Sequence, residues 1–305
     1  MKRVLVTGGA GFIGSHIADR LIETGYNVDI IDNLSTGVSN NINKNAEFYE
    51  MDINDDRMES LFRDRKYAAV FHQAAQMNVR VSVEDPLLDI QNNIVGMVKL
   101  IDYAVKNNIE HFIFASTGGA IYGEQENFPA DENHNTNPYS PYGINKLTGE
   151  KYLYYFNKSF GLKYTAMRYA NVYGPRQNPF GEAGVVAIFA HHMLGGEKAV
   201  IFGTGKQTRD FVYVEDVVNA NMLVLEKGIE GCFNIGTGIE TDVNTIFSEM
   251  AEIISYSEPP GYEPAKKGEQ TRSVLDCKKA EQVLGWIPKY NLKKGLEKTV
   301  GYFKK

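Results

Sequence analysis

The stretch from Lys2 to Gly25 restricts the fold more than any other. An apolar, β-branched run, "KRVLVT", passes into "GGAGFIGSHIADRLIETG", where glycines crowd the entrance to an amphipathic helical pattern. Strand, glycine loop and helix in this order open a βαβ unit. Gly9, Gly11 and Gly14 have the spacing G-x-G-x-x-G, and Gly8, Gly11 and Gly14 the related spacing G-x-x-G-x-x-G. Glycines here permit a tight turn, a close approach of backbone to a pyrophosphate, and close helix–strand packing, while the helix N-terminus offers free N–H groups to phosphate. A lone glycine triplet can be a plain turn. The flanking strand and helix favour a dinucleotide site.

The alternation continues. "NVDIID", "AEFYEMD", "AAVFHQAA" and "HFIFAST" are further strand candidates, with helical stretches at about 12–24, 55–65 and 85–107. Such alternation implies a parallel sheet with helices on both faces. A long helix, "YGINKLTGEKYLYYFNKSFG", ends at Gly161 and leads into a sixth strand, "KYTAMRY". Beyond Asn171 the texture changes: "NVYGPRQNPFGEAG" reads as a loop. Shorter elements follow: a helix near 183–194, "AVIF", "RDFVYV", a helix near 215–226, "CFNIG", and helices near 242–254, 276–284 and 292–303. The expected fold is α/β, a Rossmann-type doubly wound parallel sheet with a smaller C-terminal α/β substrate domain. The expected division is 1–170 and 171–305, with elements near 210–236 returning to the first domain.

A chain of 305 residues accommodates this plan, and 43% hydrophobic residues can fill its cores. The formal net charge of -6 argues against a nucleic-acid or anionic-membrane partner, either of which wants a basic face. Cys232 and Cys277 lie far apart with no metal-ligand cluster around them, as expected of idle thiols in a reducing cytosol. The N-terminal apolar run is short and breaks at glycines, unlike a signal peptide, and no stretch approaches the ~20 apolar residues of a membrane span. A cytoplasmic protein is expected.

The second strand ends in "IIDNLSTG". Asp32 lies about 20 residues past the glycines, where a carboxylate accepts both adenosine ribose hydroxyls and repels a 2′-phosphate. No arginine follows to welcome such a phosphate, so the expected cofactor is NAD rather than NADP. Phe12 and Ile13 at the helix start, and Asn33, Ser35, Thr36 and Gly37 in the turn after Asp32, are further candidate contacts. Asp52, followed by Ile53, closes the third strand, where it either binds the adenine amino group or simply caps a turn.

The reacting end is marked by a recurring pair. Tyr142 and Lys146 are four residues apart and share a helix face. The same spacing recurs at Tyr154/Lys158, Tyr262/Lys266 and Tyr290/Lys294, so context must choose. The fifth strand ends in "FASTGGAIYGE", and ligands collect outside the carboxyl ends of parallel strands. Ser116 and Thr117 would therefore stand beside a nicotinamide, with Tyr142 on the next helix at the same edge. Tyrosine ionises near pH 10 and is a poor base at neutrality. A neighbouring ammonium and the positive nicotinamide ring both favour phenolate. That phenolate can take a proton from a sugar hydroxyl as hydride leaves the same carbon, while Thr117 or Ser116 fixes the hydroxyl's angle.

Taken together, "VTGGAGFIGSH", "IIDNLSTG", "HQAAQ", "NNIVGMVKLI", "ASTGGAIYGE", "PYSPYGINK", "RYANVYGPRQ", "GTGKQTRDFVYVEDV" and "GCFNIGTG" resemble the NAD-dependent epimerase/dehydratase family. These are nucleotide-sugar enzymes of the extended short-chain dehydrogenase/reductase superfamily, and the likeness is nearest to its UDP-glucose 4-epimerases. It spans nearly the whole chain. It implies that Gln73, Ala74, Ala75, Asn93 and Tyr169 line the cofactor. It also implies that Asn171 and Arg209 grip a UDP-sugar, with Arg209 on the diphosphate. Dehydratases of the superfamily place Asp-Glu after the strand-end threonine, and sugar-acid decarboxylases tend to carry a glutamate there. This chain has Gly118-Gly119, which favours epimerisation: transient oxidation at C4, rotation of the keto sugar, and return of hydride to the opposite face.

Where the family carries an arginine before the C-terminal Gly-acid pair, this chain has Lys266 before Gly268-Glu269. Lysine supplies charge without a bidentate fork. Glu269 would bind the uridine ribose. Four residues beyond it, Ser273 stands where the family sets the room at the sugar's C2, and a small residue there implies that N-acetylhexosamines fit as well as glucose and galactose. A UDP-hexuronic acid 4-epimerase and a catalytically silent NAD-sensing module are the alternatives, and the intact Thr117, Tyr142 and Lys146 weigh against the second. The family also implies a homodimer paired through the helices at about 85–107 and 140–160.

Overall fold

The computed structural model describes residues 1–180, 184–265 and 270–304. In chain order its first half consists of β1 (Arg3–Thr7), α1 (Phe12–Glu23), β2 (Asn27–Asp32), β3 (Glu47–Glu50), α2 (Arg57–Arg65), β4 (Ala69–His72), α3 (Val79–Glu84), α4 (Pro86–Ile90), α5 (Gly96–Lys106), β5 (His111–Thr117), α6 (Pro141–Phe160) and β6 (Tyr164–Tyr169). There follow β7 (Asn171–Tyr173), α7 (Val185–Leu194), β8 (Val200–Phe202), β9 (Thr208–Tyr213), α8 (Val214–Lys227) and β10 (Gly231–Ile235). The last elements are β11 (Glu240–Asp242), α9 (Val243–Ile254), β12 (Gly261–Glu263), β13 (Arg272–Ser273) and α10 (Leu292–Phe303).

Seven strands form one sheet in the order β10-β6-β5-β4-β1-β2-β3, and every pairing in it is parallel. Strand direction in sequence reverses between β1 and β4, so the crevice at their carboxyl ends is the topological switch point at which such sheets bind ligands. The two faces of β1 show why both sides are covered. Val4 and Val6 pack with α1 and α8 residues such as Ile17 and Val217, while Leu5 packs with Phe62, Leu100 and Leu153 from α2, α5 and α6. Alternation along one strand thus feeds two separate cores.

The C-terminal elements gather around β9. It pairs in parallel with β7 and β13 and antiparallel with β11. A third core lies here, with Phe189, Tyr213, Ile246 and Leu296 among its buried members. Among the described residues no helix is long and apolar enough to cross a membrane.

Three departures from the sequence expectations have local causes. The helix expected over 85–107 is interrupted by a π-type turn at Gln91–Val95. An additional short helix, α3, is capped by Asn78 and stops before Pro86, which disfavours helical backbone at its predecessor. The segment read as a loop from Asn171 begins with a strand, because Asn171, Val172 and Tyr173 pair with Phe211, Val212 and Tyr213.

Candidate active site

The glycine loop is built on contacts that no side chain could share. Gly8 has φ +70, and a Cβ there would lie 2.6 Å from the Ala74 amide nitrogen. A Cβ on Gly14 would lie 2.2 Å from the Gly8 carbonyl oxygen, so α1 rests directly on the loop. No side chain caps α1 at Gly11, which leaves the first-turn N–H groups around Phe12 and Ile13 without intrahelical acceptors. They are suited to a phosphate. Asp32, nearly buried at the end of β2, accepts from the Ala10 amide at 3.0 Å and the Leu34 amide at 2.9 Å. Gly37 packs against it, since a Cβ there would stand 2.6 Å from Asp32 Oδ1.

The neighbouring turn is tied to itself. Asn33 Oδ1 accepts from the Ser35 amide and hydroxyl, and Asn33 Nδ2 donates to Asp52 at 2.8 Å. Asp52 also accepts from the Asn54 amide at 2.8 Å, so it caps its own turn whatever else it binds. Thr36 is exposed and Ile53 is buried against α5. At the end of β4, the Gln73 carboxamide is directed at the Tyr169 hydroxyl, but its buried Nε2 makes no well-aligned hydrogen bond. A buried donor left without a partner marks a place for a ligand acceptor, and Ala74 and the half-buried Ala75 continue the same wall. Asn93 and Tyr169 contribute differently from what the family likeness implies. The Asn93 carboxamide is taken up by Gln76 and Asp89, and the Tyr169 phenol by Asn221 on α8. Neither polar tip is offered to the crevice.

At the reacting end, Ser140 caps α6 by accepting from the Gly143 amide at 3.1 Å, and Pro141 occupies the first helical position. Proline suits that position because its missing N–H is not needed there. The cap places Tyr142 in the first turn, where its amide donates to Ser82 Oγ at 3.2 Å. One turn on, Lys146 is only 4% exposed. Its ammonium donates to the Ala115 carbonyl at 2.8 Å, stands 4.8 Å from the Phe114 ring centre and 5.8 Å from that of Tyr142. Burial lowers its pKa to about 8, opposed by the charge of Asp89. His72, stacked on Phe114 and bonded to Thr7 at 2.8 Å, is lowered to about 3 by burial and by Lys146, so it stays neutral. Elsewhere the same spacing gives a different setting: Tyr154 is 54% exposed, with Lys158 over its ring on the surface. Tyr290 is bonded to Glu215, with Lys294 over its ring. Lys266, of the remaining pair, lies outside the described residues, as does Glu269.

The two strand-end hydroxyls part company. Ser116 follows Phe112 and Phe114 on the α6 face and is buried, donating to Glu150 Oε1 at 2.6 Å. Glu150 is in turn held by Arg168 through two bonds of 3.0 and 2.7 Å. The expectation that either hydroxyl can act is corrected here: Ser116 is engaged beneath the site, and Thr117 remains. Thr117 Oγ1 and Asn171 Oδ1 border the space above Gly119, since a Cβ there would lie 3.8 and 3.6 Å from them. At Gly118 a Cβ would meet Leu275 at 2.4 Å. The glycine pair therefore does more than lack an acid: one glycine admits Leu275 and the other keeps the space between Thr117 and Asn171 open.

Arg209 and Ser273 are register partners across β9 and β13. Arg209 Nη1 donates to the Thr208 carbonyl at 2.8 Å. Ser273 is buried rather than on an exposed strand, beside Val274, whose amide donates to Gln125 at 3.1 Å. Two buried carboxylates escaped the sequence reading. Asp210 gathers the Thr237 and Gly238 amides and so fixes the strand that carries Arg209. Asp89 stands behind Lys146, and its only signal in the sequence is its place four residues before Asn93.

Sheet order, uncapped glycine loop and a helix-borne Tyr–Lys pair with its lysine buried define an extended short-chain dehydrogenase/reductase. The chain belongs to the NAD-dependent epimerase/dehydratase family, whose model matches residues 4–236. It is 41% identical over 310 residues to a UDP-glucose 4-epimerase of Mycolicibacterium smegmatis, covering 99% of this chain and 98% of the relative. Among solved structures, the UDP-glucose 4-epimerase of Thermotoga maritima with UDP-glucose superposes with a TM-score of 0.97 at 53% identity, covering 99% and 98% of the two chains. The UDP-N-acetylglucosamine 4-epimerase of Methanobrevibacter ruminantium, in complex with UDP-N-acetylmuramic acid, does so with 0.94 at 38% identity, again over 99% and 98%.

Proposed function

We propose that the protein is a UDP-sugar 4-epimerase that interconverts UDP-glucose and UDP-galactose. The observation that carries this reading is the buried Lys146 beneath Tyr142, at the edge where Thr117 and Asn171 border an open space. NAD fits the crevice by the free N–H groups of α1, by Asp32, and by the unpartnered Gln73 amide. When bound there, NAD supplies reversible hydride chemistry at C4 of the sugar. Tyr142, as phenolate, takes the proton of the C4 hydroxyl, and Lys146 stabilises that phenolate. Thr117 hydrogen-bonds the same oxygen and holds it toward Tyr142. After the keto sugar has turned over, the Tyr142 phenol returns its proton to the oxygen. Arg209 holds the diphosphate throughout, so the sugar turns while the nucleotide stays.

The chain divides, on this reading, into an NAD-binding unit over 1–170, joined by the elements near 210–236 that include α8 and β10, and a UDP-sugar unit over most of 171–305. Two copies pair through the outer faces of α4, α5 and α6. Leu87 is 77% exposed there, with Ile90, Ile144 and Tyr155 also exposed on these helices.

The test is NMR of the purified protein incubated with a panel of UDP-sugars. Interconversion of UDP-glucose and UDP-galactose without added reductant is expected, and no conversion of any UDP-sugar would remove the reading. The substrate range follows from Ser273. A small buried residue beside Arg209 leaves room at C2, so the N-acetylated pair is converted too. Ser273→Tyr is expected to suppress the N-acetyl activity and spare the plain hexoses. An unchanged ratio of the two activities would take Ser273 out of the sugar pocket.

A further inference from the structure

Behind the Tyr142–Lys146 pair lies a carboxylate that the proposed chemistry does not use. Asp89, in α4, is fully buried. Three carboxamides from separate parts of the chain donate to it: Gln76 to Oδ1 at 2.8 Å, Asn93 to Oδ1 at 2.9 Å and Asn145 to Oδ2 at 2.6 Å. Neutral donors solvate a charge without cancelling it, and a buried charge in that condition acts on its surroundings over some distance. Among the described residues Asp89 has no cation within ion-pair distance, and neither does Lys146 an anion. Asn145, the residue before Lys146 on α6, fastens that turn of the helix to Asp89.

The groups facing Lys146 are few. From β4 it meets the neutral His72, from β5 the Phe114 ring and the Ala115 carbonyl, and from its own helix the Tyr142 ring. Among the described residues, Asp89 is the carboxylate whose field favours the charged form of Lys146. The same carboxylate ties the segment after β4, through Gln76, to the π-type turn, through Asn93, and to α6.

We propose that Asp89 is a positioning residue of the Tyr142–Lys146 pair: it holds Lys146 as the ammonium and anchors α6 to the cofactor-side segment 73–78. This rests on the reading of Tyr142 as the base. The sign follows directly. Removing a negative charge makes both Lys146 and Tyr142 lose their protons at lower pH. The ammonium is lost as pH rises through the Lys146 value, and the phenolate is lost as pH falls through that of Tyr142. Both limbs of the kcat profile therefore move toward acid. Asp89→Asn suits the test because its oxygen can still accept from Gln76 and Asn93, while Asn145 turns its carboxamide to accept from the new amide.

The experiment compares the NAD-loaded wild type, Asp89→Asn and Asp89→Glu. In Asp89→Asn both limbs of kcat are expected to move toward acid by about one pH unit, and Asp89→Glu to return them. Ultraviolet titration of the Tyr142 phenol, read as wild type minus Tyr142→Phe, should move by the same amount. A lower kcat with both limbs in place would show a merely structural residue and overturn the proposal. A second measurement stands whether or not Asp89→Asn folds: nitrogen-15 NMR of Lys146 in the wild type should show the ammonium at neutral pH, and a neutral amine there would overturn the proposal. Full turnover by Tyr142→Phe would instead overturn the reading of the base. An inactive Tyr142→Phe beside unmoved limbs in Asp89→Asn removes only the role of Asp89.

Discussion

At the amino edge of the seven-stranded sheet lies a cavity of about 660 Å³ lined by Lys2, Arg3, Arg63, Arg65, Lys66 and Lys106. At the carboxyl edge of the same strands stand the glycine loop, Asp32, Thr117, Tyr142 and Lys146. The amino edge gathers more cations, yet most of them are answered. Lys2 pairs with Glu110 at 2.8 Å and Lys106 with Asp102 at 2.6 Å, and Arg3 and Arg65 both face the buried Asp29. Helices α2 and α5 also end there, at Lys66 and Asn107, and helix C-termini carry partial negative charge that favours basic neighbours. At the carboxyl edge helices begin instead; among the described residues Lys146 has a backbone carbonyl but no ion-pair partner, and Gln73 Nε2 has no well-aligned hydrogen bond. Charge count points one way, and unanswered polar groups point the other. The second criterion is the physical one, because a binding site must hold interactions that the folded chain has not already made.

The comparison breaks most readily at Tyr142. Tyr142→Phe should fold and retain NAD but lose roughly 10²–10⁴-fold in turnover, the usual contribution of a positioned acid/base. Tyr154→Phe, on the exposed outer side of the same helix, should stay near wild type. Steady-state kinetics of both variants decide the matter, and comparable losses would mean that the wrong pair has been chosen or that the effect is structural.

Legibility from sequence divides along similar lines. The parallel sheet was readable because most of its strands are apolar runs between helical periods, and β1 with its glycine loop needed only local pattern. Tyr142 and Lys146 could be put on one helix face by spacing alone. Their difference from Tyr154 and Lys158 could not, since burial of Lys146 depends on β5, which the chain reaches much earlier. β11, β12 and β13 are two or three residues long, too short to show any period, and they form by pairing with strands distant in sequence. The diversion of Ser116 to Glu150 follows from strand alternation against α6, which requires knowing which face α6 covers. Asp89 looks like an ordinary helix-surface acid until the π-type turn and α6 close over it.

A smaller effect is expected at the cofactor's ribose end. Asp32→Ala should weaken NAD retention and relax discrimination against NADP, because the carboxylate is lost and no arginine stands ready for a phosphate. Its bonds to the Ala10 and Leu34 amides mean that some loosening of the glycine loop accompanies the change. Cofactor exchange separates the two effects: loop loosening alone lowers affinity for both dinucleotides equally, whereas loss of ribose reading changes their ratio. An unchanged ratio would show that Asp32 serves the loop alone.

The smallest effect on turnover belongs to the amino edge. Arg3→Ala removes one of two cations facing Asp29, which is fully buried and keeps Arg65 and the Tyr67 hydroxyl, the latter at 2.8 Å. A buried carboxylate that loses one charged partner but keeps another and a neutral hydroxyl donor costs about 1–3 kcal/mol of stability. The melting temperature should fall by a few degrees, with kcat within about twofold of wild type, because the carboxyl edge keeps every group it had. Lys66→Ala serves as the control. Lys66 lines the cavity without an ion pair among the described residues, and an exposed change of that kind stays within about 0.5 kcal/mol. Calorimetry together with turnover reads both variants. A large loss of turnover in either one, at unchanged melting temperature, would make the amino edge a functional site and overturn the contrast between the two ends of the sheet.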